Sequence, residues 1–424
     1  MTGKGSRETL DNSRFTEAIR DPVWKHVWLT PELRDLTLSA PFLRLYGIKQ
    51  LGPTDFVYPG ATHTRASHSI GVYHVALRLL RVLAERCGLE WTTETGRASF
   101  LAAALLHDLG HFPFTHSLKE LPLEDHETLT ARAVLLEPLA SLCASAGADP
   151  GMVASVIDRS ICCTDPEVLF FRKLLSGVLD PDKLDYLNRD AYYCGVPYGI
   201  QDTDFILSHV TAERDKGLVV DSRAIMSVES VLFSKYLMYR SVYWHKNVRI
   251  ATAMMKKALF SALDGARVVP EDLYSLDDEG VYALLASIGG TEASISAAVR
   301  GRALYRTLAE FDVPEGVVLP IEDLSARAVA EREITRLAST YAGREIGEGS
   351  VIVDIPERIS FESDLPISDE GVPFSESSTV FSGPVVGRFV SSLRKIRIAV
   401  EPSLAAVARI DVAELANSVG LGYN

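Results

Sequence analysis

The chain has 424 residues, of which 47% are apolar and 23% charged, a composition typical of a globular enzyme with a large buried core. Its formal charge of −13, without a long basic run, argues against nucleic acid as the main partner. Five scattered cysteines form no CxxC pair, the N-terminus is polar, and no apolar run reaches about 18 residues. These features predict a cytoplasmic protein that crosses no membrane.

The predicted elements are mostly helical. After a flexible tail over residues 1–15, apolar residues recur at helical spacing in a series of segments. These predicted helices cover residues 63–87, 96–108, 126–146, 150–160, 166–175, 181–194, 224–263 and 279–287. Strands are expected at 217–221, 351–355 and 395–400, and a loop is expected over 363–387. The sequence therefore predicts a mainly α protein, with a helical core over residues 16–305 and a smaller α/β region over residues 306–424.

Histidines concentrate in one part of the chain, because seven of the ten lie between residues 63 and 126. His107 and Asp108 stand together after an apolar run, and His68 shares a helix face with Arg65. Imidazole and carboxylate groups hold a divalent metal when three or four of them converge. His68, His107, Asp108 and Asp182 are the candidates, although an isolated His-Asp pair is also common by chance.

The candidate Asp182 belongs to a helical acidic pattern. Asp182, Tyr186 and Asp190 recur four residues apart and so line one face of the predicted helix. A carboxylate that faces inward is costly unless it is paired or bound to a metal. Lys183, beside Asp182, suits a phosphate oxygen. The alternative for Asp190 is a structural ion pair with Lys183 or Arg189.

A metal held in this way would lower the pKa of a bound water and polarise a phosphoryl oxygen. His111, His116 and His126 suit the roles of general acid, phosphate donor or nucleophile, because imidazole titrates near neutrality. His63 is interpreted instead as a residue of the helix surface or the edge of the core.

A second cluster lies on the long helix predicted over residues 224–263. Lys235, Tyr239 and Tyr243 are spaced four residues apart and share a face. A lysine and two tyrosines can bind a phosphate and pack against a sugar or base. The pattern equally fits an aromatic stripe in the core.

Three ordered motifs resemble those of the HD-domain deoxynucleoside triphosphate triphosphohydrolases. They are Tyr58-Pro59-Gly60-Ala61-x-His63-x-Arg65-x-x-His68, His107-Asp108-Leu109-Gly110-His111-x-Pro113-Phe114-x-His116, and Asp182-Lys183-x-Asp185-Tyr186-x-x-Arg189-Asp190. The resemblance covers about residues 20–400. It implies an HD-domain helical core and a metal-dependent reaction that releases a deoxynucleoside and an intact triphosphate.

The resemblance also implies roles for individual residues. The metal would be held by His68, His107, Asp108 and Asp182, and catalysis near the α-phosphorus would fall to His116 and His126. The triphosphate would be bound by Arg65, His111, Lys183 and Lys235. The sugar hydroxyl and the base would meet Gln50 and Leu51, and the deoxyribose would be enclosed by Tyr186, Asp190 and Tyr243. The metal stays open among Mn, Fe, Mg, Ni and Zn, with additional Mg²⁺ allowed beside the triphosphate. A homodimer or homotetramer is implied as well.

The sequence departs from the family pattern at several places, among them Glu17, which stands where a basic residue is expected. An acidic residue often stands three positions after the histidine that matches His116, and here Lys119 stands there with Glu120 next. Either a shift of one residue makes Glu120 the catalytic residue, or the catalytic relay is altered. Where relatives use a Gln and an Arg to recognise a guanine activator, this chain has Leu43 and Tyr46, which cannot reproduce those hydrogen bonds. We therefore expect activation by GTP to be lost or different.

Two other functions stay open at this point. One is an HD phosphohydrolase that acts on a nucleotide monophosphate or a phosphodiester with the same metal ligands. The other is a nucleotide-binding or assembly protein without catalysis. Gln50, Leu51, Lys183 and Tyr243 favour triphosphate hydrolysis over the first, whereas Lys119 leaves room for the second.

Overall fold

A computed structural model describes residues 10–314, 316–359, 365–377, 379–381, 383–404 and 409–422, apart from the side chain of His116. The predicted fold class is confirmed, because the chain is mainly helical with small sheets. The helices are α1 (Pro31–Thr37), α2 (Ala40–Arg44), α3 (Arg65–Arg86), α4 (Glu94–Leu106), α5 (His126–Val134), α6 (Leu139–Ser145), α7 (Pro150–Ile157), α8 (Pro166–Leu175), α9 (Pro181–Cys194), α10 (Thr203–Ser208), α11 (Ile225–Met238), α12 (Lys246–Asp264), α13 (Glu271–Tyr274), α14 (Asp278–Ile288), α15 (Gly290–Arg300), α16 (Leu324–Ala342), α17 (Gly383–Leu393) and α18 (Val412–Ser418). The strands are β1 (Glu17–Asp21), β2 (Lys25–Leu29), β3 (Val210–Glu213), β4 (Gly217–Val220), β5 (Arg306–Asp312), β6 (Val351–Asp354), β7 (Pro366–Ile367), β8 (Val372–Pro373) and β9 (Lys395–Val400).

Helices α3, α4 and α9 form the centre of the first hydrophobic core. Capping residues define where α3 and α9 begin and where α9 ends. Thr64 and Ser67 form a reciprocal capping box at the start of α3. The side chain of Asp180 caps α9 at the backbone N–H of Lys183, and Gly195 ends that helix in the left-handed conformation with φ of 67°. These ends set which residues of α3 and α9 face each other.

The N-terminal segment contains a β-hairpin that the sequence pattern does not predict. Strands β1 and β2 pair antiparallel from Glu17 with Leu29 to Asp21 with Lys25. Most of their side chains are exposed, so the apolar alternation that marks a strand is weak. Residues 1–9 of the expected tail lie outside the described residues, whereas Phe15, at its end, is buried.

Two predicted helices are each interrupted. The helix expected over 126–146 is two helices, α5 and α6, with Pro138 between them, since proline lacks the N–H that a helix interior requires. The helix expected over 224–263 breaks after α11 into one wider π-type turn, Tyr239–Tyr243, before α12 begins. The expected loop over 363–387 contains the short strands β7 and β8 and the start of α17.

The C-terminal part of the chain builds a three-stranded antiparallel sheet in the order β5-β9-β6. Strand β9 is buried on both faces. Ile396, Ile398 and Val400 belong to a core with α16. On the other face, Ala399 meets the core around α12, and Arg397 pairs with Glu310 at 2.8 Å. The predicted strands at 351–355 and 395–400 are thus confirmed, while the domain division at residue 305 stays a prediction. Strands β3, β4, β7 and β8 form a second sheet.

Among the described residues, no single helix is long and apolar enough to cross a membrane. The bent pair of α6 and α7, with 107° between the two helices, passes that test of length and composition only when both are taken together.

Candidate metal centre and substrate cleft

Four imidazole and carboxylate groups converge where α3, the end of α4 and the start of α9 meet. Nε2 of His68 lies 2.9 Å from Oδ1 of Asp182 and 4.0 Å from Oδ2 of Asp108. Nε2 of His107 lies 3.8 Å from the same Asp182 oxygen and 3.3 Å from Oδ1 of Asp108. His68, His107 and Asp182 each offer a ligand atom within 4.8 Å of the others. The structure thus brings together the four residues that the sequence suggests as metal ligands.

Nε2 of His107, which lies beside two carboxylates without a hydrogen bond, points to a cation at this place. Its Nδ1 lies 3.0 Å from the carbonyl oxygen of Ala104, so that the tautomer with Nδ1–H leaves Nε2 as an acceptor. That Nε2 is buried and has no hydrogen-bond partner among the described residues. A buried acceptor without a donor is costly, and a metal ion would satisfy it. The residues present therefore fit a divalent metal ion.

The pKa values of His68 and Asp182 also indicate that this site attracts positive charge. Burial alone would lower the pKa of His68, but its hydrogen bonds to Asp182 and Asp185 outweigh burial and raise the pKa to about 10. Burial would raise the pKa of Asp182, but the hydrogen bond from His68 outweighs it and lowers the pKa to about 2. An excess of carboxylate charge over fixed cationic charge therefore surrounds these imidazoles.

A second group, formed by Asp108, His111 and His126, adjoins the first. Nε2 of His111 lies 3.1 Å from Oδ1 of Asp108, and the rings of His111 and His126 stack with centroids 3.9 Å apart. These three residues also have ligand atoms within 4.8 Å of one another. However, Nη1 of Arg65 donates to Oδ2 of Asp108 at 2.7 Å, and this guanidinium charge disfavours a second cation.

The histidines of this second group have depressed pKa values. Burial is the main cause for both, and the charge of Arg65 adds to it. The pKa of His126 falls to about 4, and that of His111 falls well below its ordinary value. Gly110 permits their approach, because a Cβ there would lie 2.1 Å from the carbonyl oxygen of His126. The hydroxyl of Thr130 accepts the Gly110 N–H, which ties the turn after α4 to α5.

Both groups open into a cleft of about 690 Å³. The cleft brings together nearly all the predicted site residues, and these are Gln50, Leu51, Arg65, His68, His107, Asp108, His111, His126, Asp182, Lys183, Tyr186, Asp190, Lys235, Tyr239 and Tyr243. The cluster of Lys235, Tyr239 and Tyr243 therefore faces the cleft, although its aromatic rings also contact one another. The ammonium of Lys183 bonds to Asp180 and to the carbonyl oxygen of Gly177, both at 2.7 Å.

The structure places Glu120, the candidate catalytic acid, away from the other predicted site residues. It does not line the cleft, and it binds instead to Lys256 of α12 at 2.8 Å and to Arg327 of α16 at 2.9 Å. Burial would raise its pKa, but these cationic partners lower it to about 2. Lys119, which precedes it, does line the cleft. The side chain of His116 lies outside the description, although its backbone belongs to the short 3-10 turn Thr115–Leu118.

Several further residues line the cleft without a motif in the sequence. They are the basic residues Arg159, Arg249 and Arg358 and the acidic residue Glu357. Apart from the neighbours Glu357 and Arg358, they lie far apart in the chain, so no local spacing connects them. His63, which the sequence suggests is unremarkable, is buried behind the cleft, and its Nε2 lies 2.8 Å from Oδ1 of Asp190.

Two family models match the chain. Residues 65–147 match the HD domain, and residues 202–382 match the HD associated region. The uncharacterized protein MJ1154 of Methanocaldococcus jannaschii is 31% identical over 361 residues, which cover 84% of this chain and 73% of that protein. These matches and the site geometry define an HD-domain protein. The chain belongs to the HD-domain family, and its HD domain is followed by an HD associated region.

Other relatives are similar over part of their length. The uncharacterized protein YwfO of Bacillus subtilis is 37% identical over 257 residues, and the match spans 57% of that protein. The deoxynucleoside triphosphate triphosphohydrolase SAMHD1 of Homo sapiens is 27% identical over 283 residues, and the match spans 58% of this chain and 45% of that protein. The chain thus spans about half the length of several of these relatives.

Solved structures share the fold over nearly the whole chain. A hypothetical protein from Aquifex aeolicus superposes with a TM-score of 0.70 and 26% identity, and the match covers 93% of this chain and 98% of that one. A phosphohydrolase from Bacteroides thetaiotaomicron also gives a TM-score of 0.70, with 24% identity and coverage of 91% and 99%. At that identity the second match shows the fold alone.

Proposed function

We propose that this protein hydrolyses deoxynucleoside triphosphates to a deoxynucleoside and an intact triphosphate. One observation carries the proposal: four metal-ligand side chains, His68, His107, Asp108 and Asp182, converge in a cleft lined by lysine and arginine side chains. The chain as a whole is acidic, so a local excess of basic groups favours a polyanionic substrate. The relationship to SAMHD1 supports a nucleotide as that substrate.

We assign the divalent metal ion to His68, His107, Asp108 and Asp182, with one ion per chain. When bound, it would supply Lewis-acid polarisation of a phosphoryl oxygen and an acidified water. Arg65, which is already bonded to Asp108, holds that carboxylate in place and adds positive charge for the phosphates. A further Mg²⁺ bound with the triphosphate is compatible with the cleft.

Proton transfer at the reacting phosphorus is assigned to the stacked pair His111 and His126 and to His116. The stacking contact places both described imidazoles beside Asp108. An imidazole in that position can hold a proton for the leaving oxygen or accept one from the attacking group. Lys183 and Lys235, on two different walls of the cleft, are assigned to the triphosphate.

The sugar is assigned to Gln50, Leu51, Tyr186, Asp190 and Tyr243. The side-chain oxygen of Gln50 is buried in the cleft wall and has no donor among the described residues. A ligand hydroxyl would supply that donor and remove the free-energy penalty of leaving a buried acceptor without a hydrogen bond. The aromatic rings of Tyr186 and Tyr243 lie edge to face with centroids 6.5 Å apart and suit a flat apolar face of the sugar.

A substrate panel tests the proposal directly. Purified protein loaded with Mn²⁺ is incubated with dNTPs, NTPs, nucleoside monophosphates and phosphodiesters, and phosphorus NMR identifies the products. We expect tripolyphosphate from dNTPs and little turnover of the other compounds. Release of inorganic phosphate from monophosphates, or cleavage of phosphodiesters, would replace this function with that of another HD phosphohydrolase.

A nucleotide-binding protein without turnover is the second candidate. One observation favours it: Lys119 faces the cleft where an acid would assist catalysis, and Glu120 is held away by Lys256 and Arg327. Nucleotide binding by a metal-loaded sample without any product would support this candidate. The proposal also includes a homodimer or homotetramer, which sedimentation equilibrium tests.

A further inference from the structure

The imidazole of His68 is hydrogen-bonded, on the side away from Asp182, to the buried carboxylate of Asp185 on α9. Its Nδ1 lies 2.8 Å from Oδ2 of Asp185, while its Nε2 faces Asp182. A carboxylate that accepts from Nδ1 fixes the tautomer in which Nε2 is free to bind a metal. Gly71, one turn after His68, makes room for this contact, because a Cβ there would lie 1.9 Å from Oδ1 of Asp185.

Asp185 is in turn held by groups from two elements. Arg189, one turn along α9, donates to both of its oxygens at 2.8 and 2.9 Å. The indole N–H of Trp24 donates to Oδ1 at 2.5 Å, and this residue comes from the turn of the β1–β2 hairpin. Asp185 and Arg189 are both fully buried, so their orientation depends on these few bonds.

Hydrogen bonds within the hairpin turn fix the position of the Trp24 indole. One carboxylate oxygen of Asp21 accepts the backbone N–H groups of Val23 and Trp24, both at 2.8 Å, and so folds the turn. The other oxygen accepts from Arg189 at 2.8 Å. The ring of Trp24 also packs on His74 of α3, with centroids 5.5 Å apart. A series of hydrogen bonds through Asp185 and Arg189 therefore connects the hairpin with His68, the candidate metal ligand.

We propose that Trp24 is a positioning residue for the metal centre and that the N-terminal hairpin, which lies outside both matched family regions, sets its metal affinity. The inference rests on the metal site of the proposed function, but not on the choice of substrate. Loss of the indole donor leaves Oδ1 of Asp185 with Arg189 as its remaining partner among these contacts. The carboxylate then gains freedom to turn, and His68 loses its fixed direction.

The test is metal binding by the full-length protein. Mn²⁺ affinity is measured by isothermal titration calorimetry for the wild type and for Trp24→Phe. The matched control is Trp28→Phe on the same hairpin, where the side chain is 45% exposed. We expect Mn²⁺ to bind about tenfold more weakly to Trp24→Phe and with unchanged affinity to Trp28→Phe. Equal affinity of the two variants, with the wild type binding Mn²⁺ normally, would overturn the inference.

A second replacement separates the hydrogen bond from packing. Benzothienylalanine at position 24 retains the shape of the indole but carries sulfur in place of the N–H group. We expect this variant to remain folded in the presence of a chelator and still to bind Mn²⁺ more weakly. Wild-type affinity in this variant would refute the role of the N–H donor even if Trp24→Phe fails to fold. A wild-type protein that binds no divalent metal would instead defeat the proposed function.

Discussion

The hydroxyl of Tyr243 donates a hydrogen bond of 2.7 Å to Oδ2 of Asp190, although 53 residues separate them in the chain. The other oxygen of Asp190 lies 2.8 Å from Nε2 of His63, whose ring stacks on Tyr193. Asp190 is thus held between a buried imidazole and the phenol that lines the cleft. The phenol ring of Tyr243 is thereby fixed in the wall that we assign to the deoxyribose.

We expect Tyr243→Phe to weaken discrimination between deoxyribose and ribose. The substitution keeps the ring but removes its anchor to Asp190, so the ring can move and admit a 2′-hydroxyl. The ratio of kcat/KM for a dNTP to that for the matching NTP should fall about tenfold. Tyr192→Phe, at an exposed position on the helix α9 that carries Asp190, is the control and should leave the ratio unchanged. An unaltered ratio in Tyr243→Phe would show that the wall lies elsewhere.

We expect His107→Ala to abolish both Mn²⁺ binding and turnover. The variant removes a ligand whose Nε2 lies within 4 Å of both Asp108 and Asp182, and a metal held by the remaining three groups would bind far more weakly. Chelation of the wild type should have the same effect, and added Mn²⁺ should restore activity. His26→Ala, at an exposed position, is the matched control. Metal content and activity near the wild-type level in His107→Ala would contradict the ligand assignment.

We expect Gln50→Ala to raise KM for a dNTP about three- to tenfold with little change in kcat, because one neutral hydrogen bond to the sugar is lost. The free energy of unfolding should not fall, because the wild-type side-chain oxygen has no donor to lose among the described residues.

Gln201→Ala provides the contrast. Its side-chain amide donates to Ser234 at 2.7 Å and to the carbonyl oxygen of Gly199 at 3.1 Å. We expect this variant to lose about 1–3 kcal/mol of unfolding free energy. A large stability loss in Gln50→Ala, measured by urea denaturation, would mean that Gln50 is a structural residue.

We expect Glu120→Gln to reduce stability but not the activity of the folded protein. The change leaves Lys256 and Arg327, both buried, without their carboxylate partner, and it should cost about 3 kcal/mol of unfolding free energy. Glu124→Gln breaks an exposed pair with Arg132 and should cost less than about 1 kcal/mol. A loss of kcat in Glu120→Gln at a temperature where the variant is fully folded would return Glu120 to a catalytic role.

The stabilising effect of Glu120 should depend on pH. Its folded pKa is lowered to about 2, against an ordinary value of 4.5. The stabilisation is therefore fully present above pH 4.5 and is lost as the pH falls towards 2. The difference in unfolding free energy between the wild type and Glu120→Gln should shrink over that range. A difference that stays constant down to pH 2 would show that the carboxylate charge contributes nothing.

We expect GTP not to stimulate dNTP hydrolysis. Leu43 and Tyr46 are both about half exposed, and Leu43 carries no polar side-chain atom with which to read a guanine. A titration of GTP against a fixed dNTP concentration, followed by product release, measures this. Strong stimulation by GTP would contradict this prediction and indicate a different activator site.

Local spacing accounts for what the sequence reveals about the fold. The predicted helix over 181–194 is observed with the same ends, because Asp180, Pro181 and Gly195 are strong start and stop signals. The hairpin of β1 and β2 has no comparable signal, since most of its side chains face outward. The break at Tyr239–Tyr243 likewise depends on packing that no short segment encodes.

The sequence by itself determined the residue types of the candidate centre: His68 and Asp182 lie on predicted helices, and His107 and Asp108 lie where a predicted helix ends. Only the tertiary structure decided which group faces which. Glu120 and Lys119 are neighbours in the chain, yet the first pairs with Arg327, 207 residues away, and the second lines the cleft. Trp24 reaches Asp185 across 161 residues. Such pairings depend on the packing of whole elements, and helical periodicity carries no information about them.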